Sequence, residues 1–228
     1  MEYLSNINSL TSYLPELMIV ITILGVFIME SISTYRPLTY ITTIIGLIFA
    51  GVLLMISSSS TNLLFEGMII NDSLAIFFKW LILLSTLSIV LISRDDESVL
   101  DEVKGEYYAM LLIITLGMFA MVSAKNLLMV YLAIEMVSIP SYIIAGISKN
   151  DRESNEASLK YVIYVSFASG IMLFGLSFLY GIAGSLDINV VASKLSSFDS
   201  SLTVYMVIIF ILRLYTLLKK RIFIFLFY

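Results

Sequence analysis

The residue in this chain whose type and place point most directly to chemistry is Glu135. It lies in the apolar run LLMVYLAIEMVSIPSYIIAGI, about 12 Å from one edge if the run is helical at about 1.5 Å per residue. A carboxylate at that depth is costly unless it is paired, protonated or wetted, so an intramembrane acid is read first as a functional group. Apolar surroundings favour the neutral form of a carboxylic acid and an approaching Lys or Arg the charged form, so such a group can load and release a proton as its surroundings change. Tyr131, Glu135, Ser138 and Tyr142 stand at i−4, i, i+3 and i+7, on one helix face. Pro140 has no amide to bond the carbonyl of Met136, which frees an acceptor beside the acid and favours a kink. The same Tyr and Ser stripe also fits a plain helix-to-helix seam.

Three further features have simpler accounts beside any functional one. Lys160 opens the next apolar run in NEASLKYVIYVSFASG, and Lys79 lies about a turn and a half inside the third. A lysine near a helix end ordinarily snorkels to the headgroups, and that is the expectation for Lys79. With antiparallel spans, Glu135 is expected about 18 Å from the edge that carries Lys160, too far for a direct pair. Ser166, Gly170, Ser177 and Gly181 form a small-residue seam suited to packing. The other 16 of the 17 acidic residues, Glu16 included, fall in loops or within a turn of a span end.

The elements that must position these groups are membrane helices. Hydrophobic residues make up 60% of the 228 and charged residues 13%, with a mean hydropathy of +1.01. A soluble domain typically has about a quarter of its residues charged, so the solvent is lipid. Spans are expected at Leu14–Ser31, Leu38–Ile56, Leu74–Ile92, Tyr107–Ala124, Leu127–Ile147 and Lys160–Gly181, with a seventh from Leu202. Closely spaced runs of this length satisfy their backbone as helices, and barrel-type alternation is missing, so the fold class is an all-α polytopic bundle. The first span follows a segment with no Lys or Arg and precedes no clear cleavage site, so it is expected to be retained. Ser57–Asn62 and Gly184–Ser201 read as polar connections. The acid-rich loop Ser93–Glu106 reads as a solvated one.

Lys and Arg counts favour an N-outside topology. That places Arg36, Arg94, Lys104, Lys149, Arg152 and Lys160 inward, against Lys79, Lys125 and Lys194 outward, and Lys219, Lys220 and Arg221 would add to the inward set. With no Cys, thiol chemistry, disulfides and iron–sulfur ligation are excluded, and with no His the usual haem ligand and near-neutral proton shuttle are gone too. Proton chemistry falls to carboxylates, Lys, Tyr and water. No basic stripe supports nucleic-acid binding.

From Glu106 to Leu186 the chain resembles the central part of the subunit N family of bacterial NADH:quinone oxidoreductase and related plastid and mitochondrial chains. The wider family includes subunits of multisubunit cation/proton antiporters. Carrying the resemblance are Glu106-Tyr107-Tyr108, Asn126-Leu127, Tyr131-Leu132, Glu135, Pro140, Tyr142, Glu156-Ala157, Lys160-Tyr161, Ala168-Ser169-Gly170 and Tyr180-Gly181, in order and spacing. Asp72 through Phe78-Lys79 is a weaker match. The resemblance implies that Glu135 is the glutamate on which proton translocation depends and that Lys160 is a lysine of the following helix. It implies a subunit in a bacterial cytoplasmic membrane, beside other membrane subunits of the oxidoreductase. It also implies no redox cofactor on this chain, with NADH, FMN, iron–sulfur clusters and quinone handled elsewhere in the complex.

Past Leu212 the family pattern would continue with a lysine in the seventh helix that partners the glutamate, and a proline-phenylalanine-histidine motif. This chain reads RLYTLLKKRIFIFLFY instead. Residues 1–212 are therefore expected to form the N-terminal half of an antiporter-like domain and 213–228 a divergent basic and hydrophobic tail, as from a frameshift or early stop near Arg213. Arg213 falls near the depth of Glu135 but stays protonated and cannot hand a proton over. Two other readings are an antiporter subunit and an inactive membrane fragment.

Overall fold

The computed structural model describes residues 9–10, 13–32, 37–57, 60–94, 103–148 and 150–197. The expectations for Arg36, Lys149, residues 95–102, the seventh span from Leu202, Arg213 and the tail 213–228 lie outside them. Six long helices take the places of the six spans: α1 Leu14–Ile32, α2 Pro37–Ile56, α3 Ser73–Ser93, α4 Lys104–Ser123, α5 Leu127–Ala145 and α6 Arg152–Ala183. The chain is an all-α, multi-pass integral membrane bundle. Ile21, Ile92 and Phe167 are exposed large apolar residues on the outside of these helices.

Local chemistry sets the boundaries. The Asp72 carboxylate accepts from the Ala75 N–H at 2.8 Å and starts α3, and the Asn126 side chain accepts from the Leu128 N–H at 2.8 Å and starts α5. The Asp151 carboxylate accepts from the amides of Glu153 and Ser154, so α6 begins at Arg152, about two turns before the expected Lys160. Gly184, with φ of 71°, ends it.

Two elements stand where polar connections were expected. The first is a hairpin of β1 (Ser60–Leu64) and β2 (Ile69–Asn71), turned through positive φ at Phe65, Glu66 and Gly67. The stretch after Gly184 forms a short helix, α7 (Ile188–Ser197), capped by Asp187. Its Ile188, Val191 and Leu195 keep helical spacing among Ser, Asn and Lys, and Val191 is buried.

Helices α1 to α4 pack around one core that includes Ile19, Val26, Leu47, Val90, Tyr108 and Phe119. Thr22 of α1 fills the space where a side chain on Gly46 of α2 would stand. Thr86 and Thr115 hydrogen-bond at 2.9 Å between α3 and α4. Helix α5 packs on α4, and α6 on α5.

At one end the connections are laced together. Ile69 pairs antiparallel with Ala124, and Asn126 with Asp187. The Lys125 N–H donates to the Met68 carbonyl at 2.9 Å, the Leu127 N–H to the Leu186 carbonyl at 2.9 Å, and the Ile188 N–H to the Lys125 carbonyl at 3.2 Å. This hairpin end therefore ties β2, the α4–α5 turn and the α6–α7 turn into one clasp.

Candidate functional site

Glu135 lies in the third turn of α5 and is half-buried. Among the described residues its carboxylate has no hydrogen-bond or ion-pair partner. The polar stripe around it is a helix seam. The Tyr131 and Ser169 hydroxyls lie 3.1 Å apart, the Ser158 hydroxyl donates to the Tyr142 carbonyl at 2.8 Å, and the Tyr142 and Tyr161 rings meet edge to face. Ser138 turns back to the Ile134 carbonyl at 2.8 Å. Glu135 shares this α6-facing side by its spacing. The opposite side of α5, through Ala133 and Pro140, is buried, and helix α5 continues through the proline to Ala145.

The two α5–α6 contacts fix the register. Tyr131 stands beside Ser169 and Tyr142 beside Ser158, so both pairs of numbers sum to 300. On that count Glu135 is level with residue 165, and Lys160 with Pro140. The axial separation of Glu135 and Lys160 is then five residues, about 8 Å, rather than the 18 Å expected. The larger figure treated Lys160 as the edge of the span, whereas the helix starts at Arg152. The structure still does not bring the two together. Lys160 and Ser169 are nine positions apart, about two and a half turns, which puts them on opposite faces of α6. The Lys160 ammonium is exposed and pairs with Glu156 one turn earlier at 2.6 Å.

An exposed pair of this kind contributes little, because solvent screens it. Lys160→Gln is therefore expected to leave the midpoint of a denaturant titration of the detergent-solubilised chain unchanged. A lowered midpoint would show that Lys160 is held by more than Glu156.

A second group of charges escaped the sequence reading. Lys79 does not snorkel: it is buried at 1% exposure, and its Nζ lies 2.6 Å from Oε1 of Glu16, itself 1% exposed in the first turn of α1. The approach is close but off the axis of a hydrogen bond, and neither Glu16 oxygen has a hydrogen-bond donor among the described residues. The ammonium donates to Asn71 Oδ1 at 3.0 Å, and Asn71 Nδ2 donates to the Ser57 hydroxyl at 3.1 Å. The rings of Tyr13 and Phe119 complete the surroundings, at 5.9 and 6.0 Å from Nζ. One ammonium thus meets α1, β2 and α4 from α3.

The burial of Lys79 follows from its helix. Ala75, Lys79, Leu83, Thr86, Val90 and Ser93 are the buried positions of α3 and repeat every three or four residues. That spacing, with small or polar residues at Ala75, Lys79, Thr86 and Ser93, was the available signal. On the neighbouring helix, Gly117 was also missed. A Cβ there would meet Val137 Cγ2 at 2.9 Å, Met136 Cβ at 3.0 Å and the Ala133 carbonyl at 3.2 Å, so α4 and α5 approach through a glycine beside the turn that carries Glu135. The expected small-residue seam is different: among the described residues, nothing lies against Gly170 or Gly181. Among the described residues there is no cluster of acids suited to a metal ion.

Residues 124–226 match a family model described as NADH:quinone oxidoreductase/Mrp antiporter, TM. This stretch holds Glu135 and Lys160, while Glu16 and Lys79 precede it. NADH-quinone oxidoreductase subunit N of Anaeromyxobacter sp. (strain Fw109-5) is 39% identical over 199 residues, covering 86% of this chain and 38% of that protein. Subunit N 2 of Chloroherpeton thalassium is 41% identical over 180 residues, 77% of this chain and 35% of that one. In fold, the chain is similar to a chain of respiratory complex I from Thermus thermophilus with bound aureothin. The TM-score is 0.63 and the identity 24%, over 76% of this chain and 38% of that one. It is also similar to one from the membrane-bound sulfane sulfur reductase, an archaeal respiratory membrane complex. There the TM-score is 0.64 and the identity 20%, over 80% of this chain and 39% of the other. The chain thus spans less than two fifths of the length of these relatives.

Proposed function

We propose that this chain, whose residues 124–226 match the NADH:quinone oxidoreductase/Mrp antiporter transmembrane family, serves within a proton-translocating membrane subunit of an NADH:quinone oxidoreductase. The observation that carries the reading is Glu135: a half-buried carboxylate inside a membrane helix, unpaired among the described residues, on a seam lined by tyrosine and serine hydroxyls. Such a group costs free energy in lipid, and holding and releasing a proton is the work that suits it.

In this reading electron transfer from NADH to quinone takes place on other subunits, which hold the NADH, FMN, iron–sulfur and quinone sites. This chain binds none of them and moves protons. Its partners are the other membrane subunits, its place is a bacterial cytoplasmic membrane, and its N-terminus faces outward. Glu135 carries the proton. Lys160 serves as a charge on the far face of α6, acting through water or other side chains rather than by direct contact.

The test is Glu135→Gln in membrane vesicles that hold the assembled complex. NADH-driven proton uptake is expected to fall to the background of vesicles without the chain, and an unchanged rate would exclude a proton-carrying role. The family description also names Mrp antiporters, which favours one second reading, a subunit of a cation/proton antiporter. Proton movement driven by a sodium gradient, with no NADH present, would favour that reading instead.

A further inference from the structure

We propose that the Glu16–Lys79 ion pair is a positioning device for Glu135: it anchors β2, and through β2 it fixes the clasp from which α5 hangs. The inference rests on the role given to Glu135 above.

Cohesion alone does not account for the pair. Apolar residues of similar volume often hold two helices together as well as a buried ion pair does, and among the described residues both Glu16 oxygens lack a hydrogen-bond donor. What the ammonium adds is direction. While paired to Glu16 at 2.6 Å, Nζ also holds Asn71 Oδ1 at 3.0 Å, and Asn71 is the last residue of β2. The string from Lys79 through Asn71 to Ser57 is a tether and not a proton wire, because a carboxamide does not pass protons on at ordinary pH.

From Asn71 the mechanical line is short. Ile69, two residues back, pairs with Ala124, and the Met68 carbonyl receives the Lys125 N–H at 2.9 Å. The next residue, Asn126, caps α5 and pairs with Asp187. Glu135 follows nine positions later on the same rigid helix. Helix α5 packs chiefly on α4 and α6, so its N-terminal anchorage bears directly on the depth and rotation of its carboxylate.

The chain has no cysteine, so Ile69→Cys with Ala124→Cys adds the only two thiols, at paired antiparallel positions whose Cα separation of roughly 4.5–5.5 Å suits a disulfide. Oxidative cross-linking of the full chain in membrane vesicles reports the clasp. The rate is expected to be unchanged by Glu135→Gln, several-fold lower with Glu16→Gln or Lys79→Met, and restored when Glu16→Lys and Lys79→Glu are combined. Equal rates in every background would overturn the proposal.

A second arm reads NADH-driven proton uptake of the complex. Lys79→Met should lower it, and forming the disulfide should restore it. Uptake that stays low after cross-linking would overturn positioning and assign the pair a direct part in proton transfer. If Glu135→Gln leaves uptake intact, the proposed function falls, while the cross-linking rates still judge the clasp on their own.

Discussion

Lys79→Met is expected to cost about 3–5 kcal/mol of stability, because it leaves the Glu16 carboxylate buried without its counter-charge. The reason is the asymmetry between breaking a buried pair and replacing it. Glu16 and Lys79 are each 1% exposed, so neither can recover its hydration in place. Replacing both, with Glu16→Met and Lys79→Met, removes the uncompensated charge and should return most of the loss, since buried pairs replaced by apolar residues are often neutral in stability. The two single variants and the double variant form a cycle, read by denaturant titration of the detergent-solubilised chain. Strong non-additivity is the expected result. Additive losses would mean that the two residues do not act as a pair. The cycle measures cohesion, whereas the cross-linking rates measure where the hairpin is held, so the double variant is expected to be stable and still slow to cross-link.

Gly117→Val is the second large effect. Its Cβ has no room: the nearest atoms are Val137 Cγ2, the Met136 Cβ and the Ala133 carbonyl, and the last two cannot swing aside without moving α5. Overpacking of this kind costs about 1–3 kcal/mol, and the relief available is to push α5 off α4. Because Ala133, Met136 and Val137 flank Glu135, the same push displaces the carboxylate, and proton uptake should fall along with stability. Gly51→Ala is the control. Its Cβ would sit in ordinary contact, 3.7 Å from Leu83 and Trp80, and removing a helix glycine there should be neutral or gain up to about 1 kcal/mol. Matching losses at Gly117 and Gly51 would show that the α4–α5 contact is not special.

The helices were legible because twenty-odd apolar residues in a row have few alternatives in lipid. The first five spans begin and end within about three residues of those read from hydropathy, and α6 departs from its expected bounds only because Asp151 caps it early. Glu135 was legible for the same reason, as a charge where nearly everything else is apolar. Which side of a helix faces the protein was marked only faintly, in α3 by the small or polar residues at Ala75, Thr86 and Ser93. In α3, Phe77 and Leu81 look toward lipid and Leu83 toward the core, and nothing in their chemistry tells them apart. Water marks the outer face of a soluble helix with polar residues, and lipid leaves no such mark. Lys79 therefore looked like a snorkelling lysine near a span end and Glu16 like an acid at a helix start, although the fold buries both and joins them. The hairpin and α7 were hidden by their brevity: strands of five and three residues and a helix of ten do not stand out beside Ser and Asn in a connection.

The contacts between α5 and α6 bear on motion. The hydroxyl contact at Tyr131 and Ser169 and the hydrogen bond between Tyr142 and Ser158 are eleven positions apart on each helix, about three full turns. They act as two pins through the same pair of rods. A slip of one residue, or a rotation of either helix about its axis, breaks both together. Glu135 and Lys160 therefore ride on a single body. Under the proposed function, the charge that changes its distance to Glu135 would then come from outside the pair, by another helix moving against it or by the two rods tilting as one.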